Sequence, residues 1–415
     1  MKKKQDFDWL VLISSGILII VGLALIFSVF HVAPNADAEK TQNPYFLRQL
    51  LWVAAGLGAM FVGFSVPFRY FESLAYAIYA ICMGLLILVL FIGTGTGAQR
   101  WIALGPIRLQ PSEFMKIGIV FVWARVLSGQ RGGTDRVKKV AIALCFTLLP
   151  FLLVLKQPDL GTAIIMLLAI LPVFYWRGVR AYRILFCISP VVATLLVAHG
   201  EKISKNPWPF GIYIVAIFVV AYLKRSDLRA SLALIAANLG IGVFFPFAWQ
   251  HLKGYQQERI ISFLNPGSDR LDQGWQVFQS KIAIGSGGLT GKGFLLGSQK
   301  ALEFLPAKHT DFIFSVMGEE QGFLGALFVL VLFGILIVRA LFLANKAKGE
   351  FTSTVCIGIA AYFFFQALVN VAMTTGMAPV TGIPLPFLSY GGSSLVVSCF
   401  CVGLLLNCSV RWFEY

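Results

Sequence analysis

The sequence predicts an all-α, polytopic membrane bundle of about 10–12 transmembrane helices, on three observations. Hydrophobic residues fill 58% of the 415 positions and charged residues only 13%, with a mean hydropathy of +0.80. Soluble domains are about a quarter charged, so an ordinary soluble fold and a disordered chain are both excluded. The apolar residues also form continuous runs close to the roughly 20 residues that a membrane helix needs. A membrane β-barrel would instead alternate over about ten residues. Residues 1–415 therefore read as a single transmembrane domain.

In chain order the apolar runs are 10–30, 50–66, 74–92, 112–127, 140–155 and 162–175, then 184–198, 212–223, 230–249, 323–342, 354–373 and 395–406. The first follows three lysines and imitates a signal peptide. It is longer than the 7–15 residues of such a segment and is read as an uncleaved helix. Threading the runs alternately puts Lys2–Lys4, Arg69, Arg131, Arg136, Lys138, Lys139, Arg177, Arg180, Arg183, Lys224, Arg225, Arg229, Lys346, Lys348 and Arg411 on one side. The positive-inside bias makes that side cytoplasmic, with both termini inside. The net charge of +15 is thus read first as topology, and no nucleic-acid partner is expected. All seven cysteines lie in apolar runs without CxxC spacing, so neither a zinc site nor a disulfide framework is indicated.

Three outward segments are more than turns. Residues 93–110 are glycine-rich and carry Arg100, Trp101 and Arg108; residues 378–394 hold Pro379, Pro384 and Pro386 and cannot form one helix. The longest, 251–311, is read as a large structureless outer loop, and connections of that length are usually functional. Two glycine motifs within these segments are set aside. Five residues separate Gly285 from Gly291-Lys292, and a glycine follows the lysine, so this is not a P-loop. Gly93 to Gly97 lacks dinucleotide-binding spacing.

The chemistry-bearing candidates are charges at the outer membrane edge. Glu113 and Lys116, three apart at the start of a span, share a helix face and can pair. Asp159, in the turn Lys156-Gln157-Pro158-Asp159, lies at similar depth. A structural ion-pair network and a functional cluster both fit these three, since charges at such depth are usually paired or functional. Asp269 and Asp272 read either as a solvated turn or as a general base whose pKa burial raises. His309 with Asp311 could form a base and its orienting carboxylate, but no nucleophile elbow accompanies them. Glu319 and Glu320 precede a span; being adjacent, they do not form a dyad, and a proton-relay role is the transporter-like alternative.

Four blocks carry a resemblance to a known family: Gln99-Arg-Trp-Ile-Ala-Leu-Gly-Pro106 with Gln110-Pro-Ser-Glu-Phe-Met-Lys116; Gln157-Pro-Asp-Leu-Gly-Thr-Ala163; Gln279-Ser-Lys-Ile-Ala-Ile-Gly-Ser-Gly-Gly288 running to His309-Thr-Asp-Phe-Ile-Phe314; and Pro379-Val-Thr-Gly-Ile-Pro-Leu-Pro-Phe-Leu-Ser-Tyr-Gly-Gly-Ser-Ser394. Over nearly its whole length the chain resembles the SEDS family of bacterial cell-wall and division proteins. Gly291-Lys-Gly293, Gly297-x-Gln299 and Phe304-Leu-Pro306 look like its RodA (elongation) branch rather than FtsW. The resemblance implies a peptidoglycan glycosyltransferase of the bacterial cytoplasmic membrane that polymerises lipid II on the outer face. It implies as partners a class B penicillin-binding protein transpeptidase and other elongation-complex membrane proteins.

The family's essential outer-loop aspartate corresponds to Asp269, and its membrane-edge polar cluster to Glu113, Lys116 and Asp159. The chain departs from the family's Leu-Pro-Glu-x-His in reading Leu305-Pro306-Ala307-Lys308-His309, and 184–249 looks like an extra helical hairpin region.

Such chemistry needs a base for the acceptor hydroxyl, cations for the diphosphate leaving group and an apolar groove for two lipid tails. Asp269 is the candidate base, and Arg100, Arg108, Lys116 and Lys292 are candidate diphosphate partners. Ser389 and Tyr390, in the fourth block, join the candidate substrate-binding set with His309 and Asp311. No cofactor is indicated, although a divalent cation could share the diphosphate work. A lipid II flippase and a transpeptidase scaffold are the competing readings.

Overall fold

The computed structural model describes residues 7–30, 44–94, 100–105, 107–129, 134–200, 205–223, 228–251, 254, 257, 261, 263, 273–297 and 309–413. All twelve apolar runs lie in helices. The order is α1 (Trp9–Phe30), α2 (Pro44–Ser65), α3 (Phe68–Ile92), β1 (Ile102–Leu104), β2 (Ile107–Leu109), α4 (Pro111–Leu127), α5 (Thr134–Lys156) and α6 (Leu160–Trp176). It continues with α7 (Ala181–His199), α8 (Trp208–Leu223), α9 (Leu228–His251), α10 (Gln273–Ser286), α11 (Ile313–Lys346), α12 (Glu350–Thr374) and α13 (Gly392–Arg411). Among the described residues, α1, α2, α3, α5, α11, α12 and α13 are long and apolar enough to cross a membrane, while Leu160–Trp176, Trp208–Val220 and Leu234–Phe245 are apolar but shorter. The protein is a multi-pass α-helical membrane protein.

Two of the segments that the sequence places outward hold more structure than it predicts. The connection after residue 251 is not structureless, because α10 occupies part of it and α11 begins at Ile313, ten residues before the apolar run at 323. Serine, glutamine and glycine are interspersed through both stretches, with Glu319 and Glu320 in the second, which hides these helical portions from a hydropathy reading. In segment 93–110, β1 pairs antiparallel with β2, Leu104 opposite Ile107. Gly105, at φ +62°, opens the tight turn between them, a position that favours a residue without Cβ.

The chain forms two compact units: residues 1–177 with 276–377 and 381–415, and residues 178–275 with 378–380. In the second, α7, α8 and α9 pack on one another around Val197, Ala198, Phe245 and Trp249. Asn238 Nδ2 donates to Ser189 Oγ at 2.9 Å, and Tyr213 donates to the Ser189 carbonyl at 2.8 Å.

In the first unit, burial separates centre from periphery. The apolar window of α13 is 83% buried and that of α12 is 67% buried, against 22% for α2 and α5. The last two present their remaining apolar surface to lipid, which is why they carry exposed leucines such as Leu51 and Leu152. Helices α2 and α13 approach closely through glycine. A Cβ at Gly63 would sit 2.8 Å from the Phe400 carbonyl oxygen, and one at Gly403 would strike the Met60 backbone. Small residues at such crossings replace the hydrophobic drive that lipid does not supply.

The two ends of this unit differ. One, the basic end, ties cations to carboxylates and helix C-termini: Arg125 to Glu72, Arg177 to Glu350 at 2.8 Å, and Arg411 to the Ser65 carbonyl at 3.0 Å. The other, the hairpin end, carries β1–β2 and most of the described site candidates.

Candidate functional site

The first polar cluster forms where α4 and α6 begin. Gln110 precedes α4, and Pro111 fits its first turn because that turn needs no amide donor. The Gln110 amide donates to Ser393 Oγ at 3.0 Å, joining α4 to the start of α13. Its side chain donates to Asp159 Oδ2 at 3.1 Å, and Ser112 donates to the same oxygen at 3.4 Å. Asp159 also caps α6, accepting from the Thr162 amide at 3.3 Å. It is 2% exposed, so these donors replace water around its charge.

One turn further along α4, Glu113 and Lys116 pair at 2.7 Å with side chains 2% and 5% exposed. An ion pair this buried contributes little net stability, but losing one partner strands the other. A cavity of about 20 Å³, roughly one water's space, opens beside Lys116 and is lined also by Tyr362, Gln366 and Ser398. Arg100 reaches the same region from outside. Its Nε donates to the Gln157 carbonyl at 3.1 Å and its Nη2 to the Pro158 carbonyl. Those carbonyls lie just beyond α5, where a cation offsets the negative helix end.

A second cluster is aromatic and cationic. The His309 ring lies 5.4 Å from Phe30, 5.8 Å from Tyr45 and 5.9 Å from Tyr390. The Tyr390 amide donates to the His309 carbonyl, and Ser389 Oγ to the Thr310 carbonyl at 2.6 Å, so segments 309–311 and 389–390 are knitted together. Asn370 fixes the Asp311 carbonyl at 2.9 Å. Partial burial pushes the Tyr390 phenol up, while Arg48, in hydrogen-bond contact with it, and Arg108 pull it down; burial prevails. Arg48 and Arg108 are both exposed. Arg48 was not visible as a site residue in the sequence, because a single arginine near the end of an apolar run resembles a topology signal.

The third feature is a break in α11. Gly322 adopts φ +66°, ψ −164° inside the helix and frees main-chain groups on both sides. The segment 287–293 satisfies them. The Lys292 and Gly293 amides donate to the Glu319 and Glu320 carbonyls, each at 3.0 Å. In return the Phe323 and Leu324 amides donate to the Gly288 and Leu289 carbonyls at 2.9 and 3.1 Å. Gly287, Gly291 and Gly322 lie where a Cβ would collide with the opposing backbone. Lys292 Nζ pairs with buried Glu319 at 2.7 Å, and Ser28 donates to both carboxylate oxygens of Glu320 at 2.6 and 2.8 Å. The P-loop-like glycines are thus a strap for a broken helix, and the adjacent glutamates have separate partners.

The hairpin end therefore holds Arg100 and Asp159 at the α5–α6 turn and the Glu113–Lys116 pair on α4, with Arg108, His309, Ser389 and Tyr390 around another cluster. Asp311 contributes through its backbone, and Lys292 belongs to the strap. Asp269 and Asp272 lie outside the described residues. Among the described residues no three His, Cys, Asp or Glu side chains converge as a metal site.

Fold and site define a class: a multi-pass helical membrane protein that concentrates buried charge and exposed arginine at one end. The profile of the FtsW/RodA/SpoVE family, described as cell cycle protein, matches residues 8–209 and 210–412, and the chain belongs to this family. It is 36% identical to the peptidoglycan glycosyltransferase MrdB of Escherichia coli K12 over 409 residues, covering 98% of this chain and 95% of that protein. Among solved structures it matches a chain from a study of how a peptidoglycan synthase complex coordinates polymerization and crosslinking. That match has a TM-score of 0.71 and 30% identity over 99% of both chains. The rod shape determining protein RodA of Thermus thermophilus matches with a TM-score of 0.63 and 26% identity, over 99% of this chain and 98% of that one.

Proposed function

We propose that this protein is a peptidoglycan glycosyltransferase of the elongation type that polymerises lipid II at the hairpin end. The reading rests on family membership and on relatives named for this activity. The observation that carries it is the gathering of Arg48, Arg108 and Tyr390 beside the buried Glu113–Lys116 and Asp159 network. The basic end then faces the cytoplasm with both termini, and the hairpin end faces outward.

In the reaction, the acceptor sugar hydroxyl attacks the anomeric carbon of the donor while the bond to the diphosphate breaks. The hydroxyl proton passes to a base, and the electron pair leaves on the diphosphate oxygen. Asp269, in the outer segment before α10, is the proposed base. Arg48 and Arg108 suit the leaving group because guanidinium forks match phosphate oxygens and stay charged. Glu113 and Lys116, paired with each other, and Asp159, held by Gln110, Ser112 and the Thr162 amide, act by fixing α4, α6 and α13 under the reacting groups. The exposed apolar helix surfaces accommodate the lipid tails. A class B penicillin-binding protein is the proposed partner, in keeping with the synthase complex among the structural matches.

The test is a gel assay with purified protein, its transpeptidase partner blocked at that partner's own active site, and lipid II. Wild type should yield glycan polymer. Asp269→Ala should fall by about 100-fold or more, as expected on losing a general base. If neither makes polymer although the complex is folded and assembled, the flippase or scaffold reading replaces this one.

A further inference from the structure

At the basic end, on the opposite end of the unit from the reaction site, α1 and α11 enclose an open groove of about 370 Å³. Its polar rim contains Arg339 and Lys346, and its apolar wall contains Trp9, Leu10 and Phe342. Asp8 lies at the bottom with its side chain only 2% exposed, and Arg339 binds it through Nε at 2.9 Å and Nη2 at 2.7 Å. This leaves Arg339 Nη1 with no partner among the described residues. The guanidinium carbon lies 4.7 Å from the centre of the Phe342 ring, a cation–π contact at the rim. Lys346 makes one contact among the described residues, with the Trp412 ring at 5.1 Å.

Two further features define the ligand. The groove continues along both helices as exposed apolar surface: Trp9, Leu10 and Ile13 are 63%, 52% and 53% exposed, and Val338 and Phe342 are 61% and 50% exposed. A free phosphate would use only the cations, whereas an amphiphile uses both parts. The lining carboxylate is Asp8, which Arg339 already neutralises, so among the described residues no carboxylate pairs with Lys346. The sequence adds Lys2, Lys3 and Lys4, against a single acid at Asp6, before Phe7.

We infer that this groove binds an anionic phospholipid of the leaflet at the basic end. Its phosphate would lie between Arg339 Nη1 and Lys346, its acyl chains along Leu10, Ile13, Val338 and Phe342. Basic pockets between membrane helices select acidic headgroups in this way, and interfacial tryptophan sits at headgroup depth.

The test uses the full-length protein in nanodiscs of phosphatidylcholine with 20% phosphatidylglycerol (about one anionic lipid in five), a mixture that leaves room for selection. Retained lipid is counted by native mass spectrometry after release. Thermal stability is followed in parallel on adding phosphatidylglycerol vesicles, phosphatidylcholine vesicles or inorganic phosphate. Wild type should retain phosphatidylglycerol preferentially and be stabilised by it alone. Lys346→Glu removes two units of charge at about fivefold each and should cut retention by about 25-fold. Arg339→Lys keeps a cation against Asp8 but removes the free fork nitrogen, so it should fold and still lose several-fold retention. Equal retention of both lipids, unchanged retention in both variants, or stabilisation by phosphate alone would each overturn the inference. The readout does not depend on polymerase activity, so it stands or falls apart from the proposed function.

Discussion

Buried charge is the most demanding feature at the scale of single residues. Lys116→Met leaves Glu113 unpaired at 2% exposure and should cost about 3–5 kcal/mol, read as a lowered unfolding temperature in detergent. Adding Glu113→Gln should recover most of that stability, because neutral partners avoid the stranded charge. Polymer formation by the folded double variant then separates structural from chemical use of the pair: near wild-type polymer makes it structural, and its loss makes the charges functional. Asp159→Ala removes a cap and a shared acceptor and should cost about 1–2 kcal/mol. Tyr390 gives a pH prediction. Its folded pKa lies above the unfolded value of about 10, so its contribution is fully present below pH 10 and is lost as pH rises through the folded value. Tyr390→Phe should therefore flatten the alkaline loss of stability measured above pH 10.

Among the elements, α11 and its strap show most clearly what sequence does and does not disclose. The run at 323–342 is legible from hydropathy, as are all twelve apolar runs, because desolvating a helix in lipid demands continuous apolar residues. The portion from Ile313 to Gln321 is not legible, since its burial depends on α1, α10 and the strap rather than on lipid. The strap glycines were recognisable as a motif, yet their purpose appears only beside the opposing backbone. The pairing of Glu113 with Lys116 was readable from helical spacing, whereas Arg48 was not, because its partner Tyr390 lies far away in the chain. Gly322→Ala would place a Cβ against Gly291 and Leu289 at a backbone angle unfavourable to alanine. It should cost about 1–3 kcal/mol from the backbone alone, seen as a lower unfolding temperature.

For the whole molecule, the proposed orientation makes a labelling prediction. A cysteine at position 269 should react with a membrane-impermeant maleimide in intact cells, and one at position 348 only after permeabilisation. The reverse pattern would invert the molecule and remove the hairpin end from the outer face. Burial is graded across the first unit, from well-buried α12 and α13 to lipid-facing α2 and α5. Substitution of exposed Leu51 or Leu152 by another apolar residue should thus change stability by less than about 0.5 kcal/mol.

The strap also sets how this protein can tolerate change. Four main-chain hydrogen bonds fasten it to α11, and those bonds do not discriminate among side chains. A saturation scan of positions 287–293 should consequently reject replacements at Gly287 and Gly291 while accepting many at Leu289 and Thr290, which project outward and are exposed. Related proteins could then diverge in the side chains they display along the strap without reworking the broken helix that it holds.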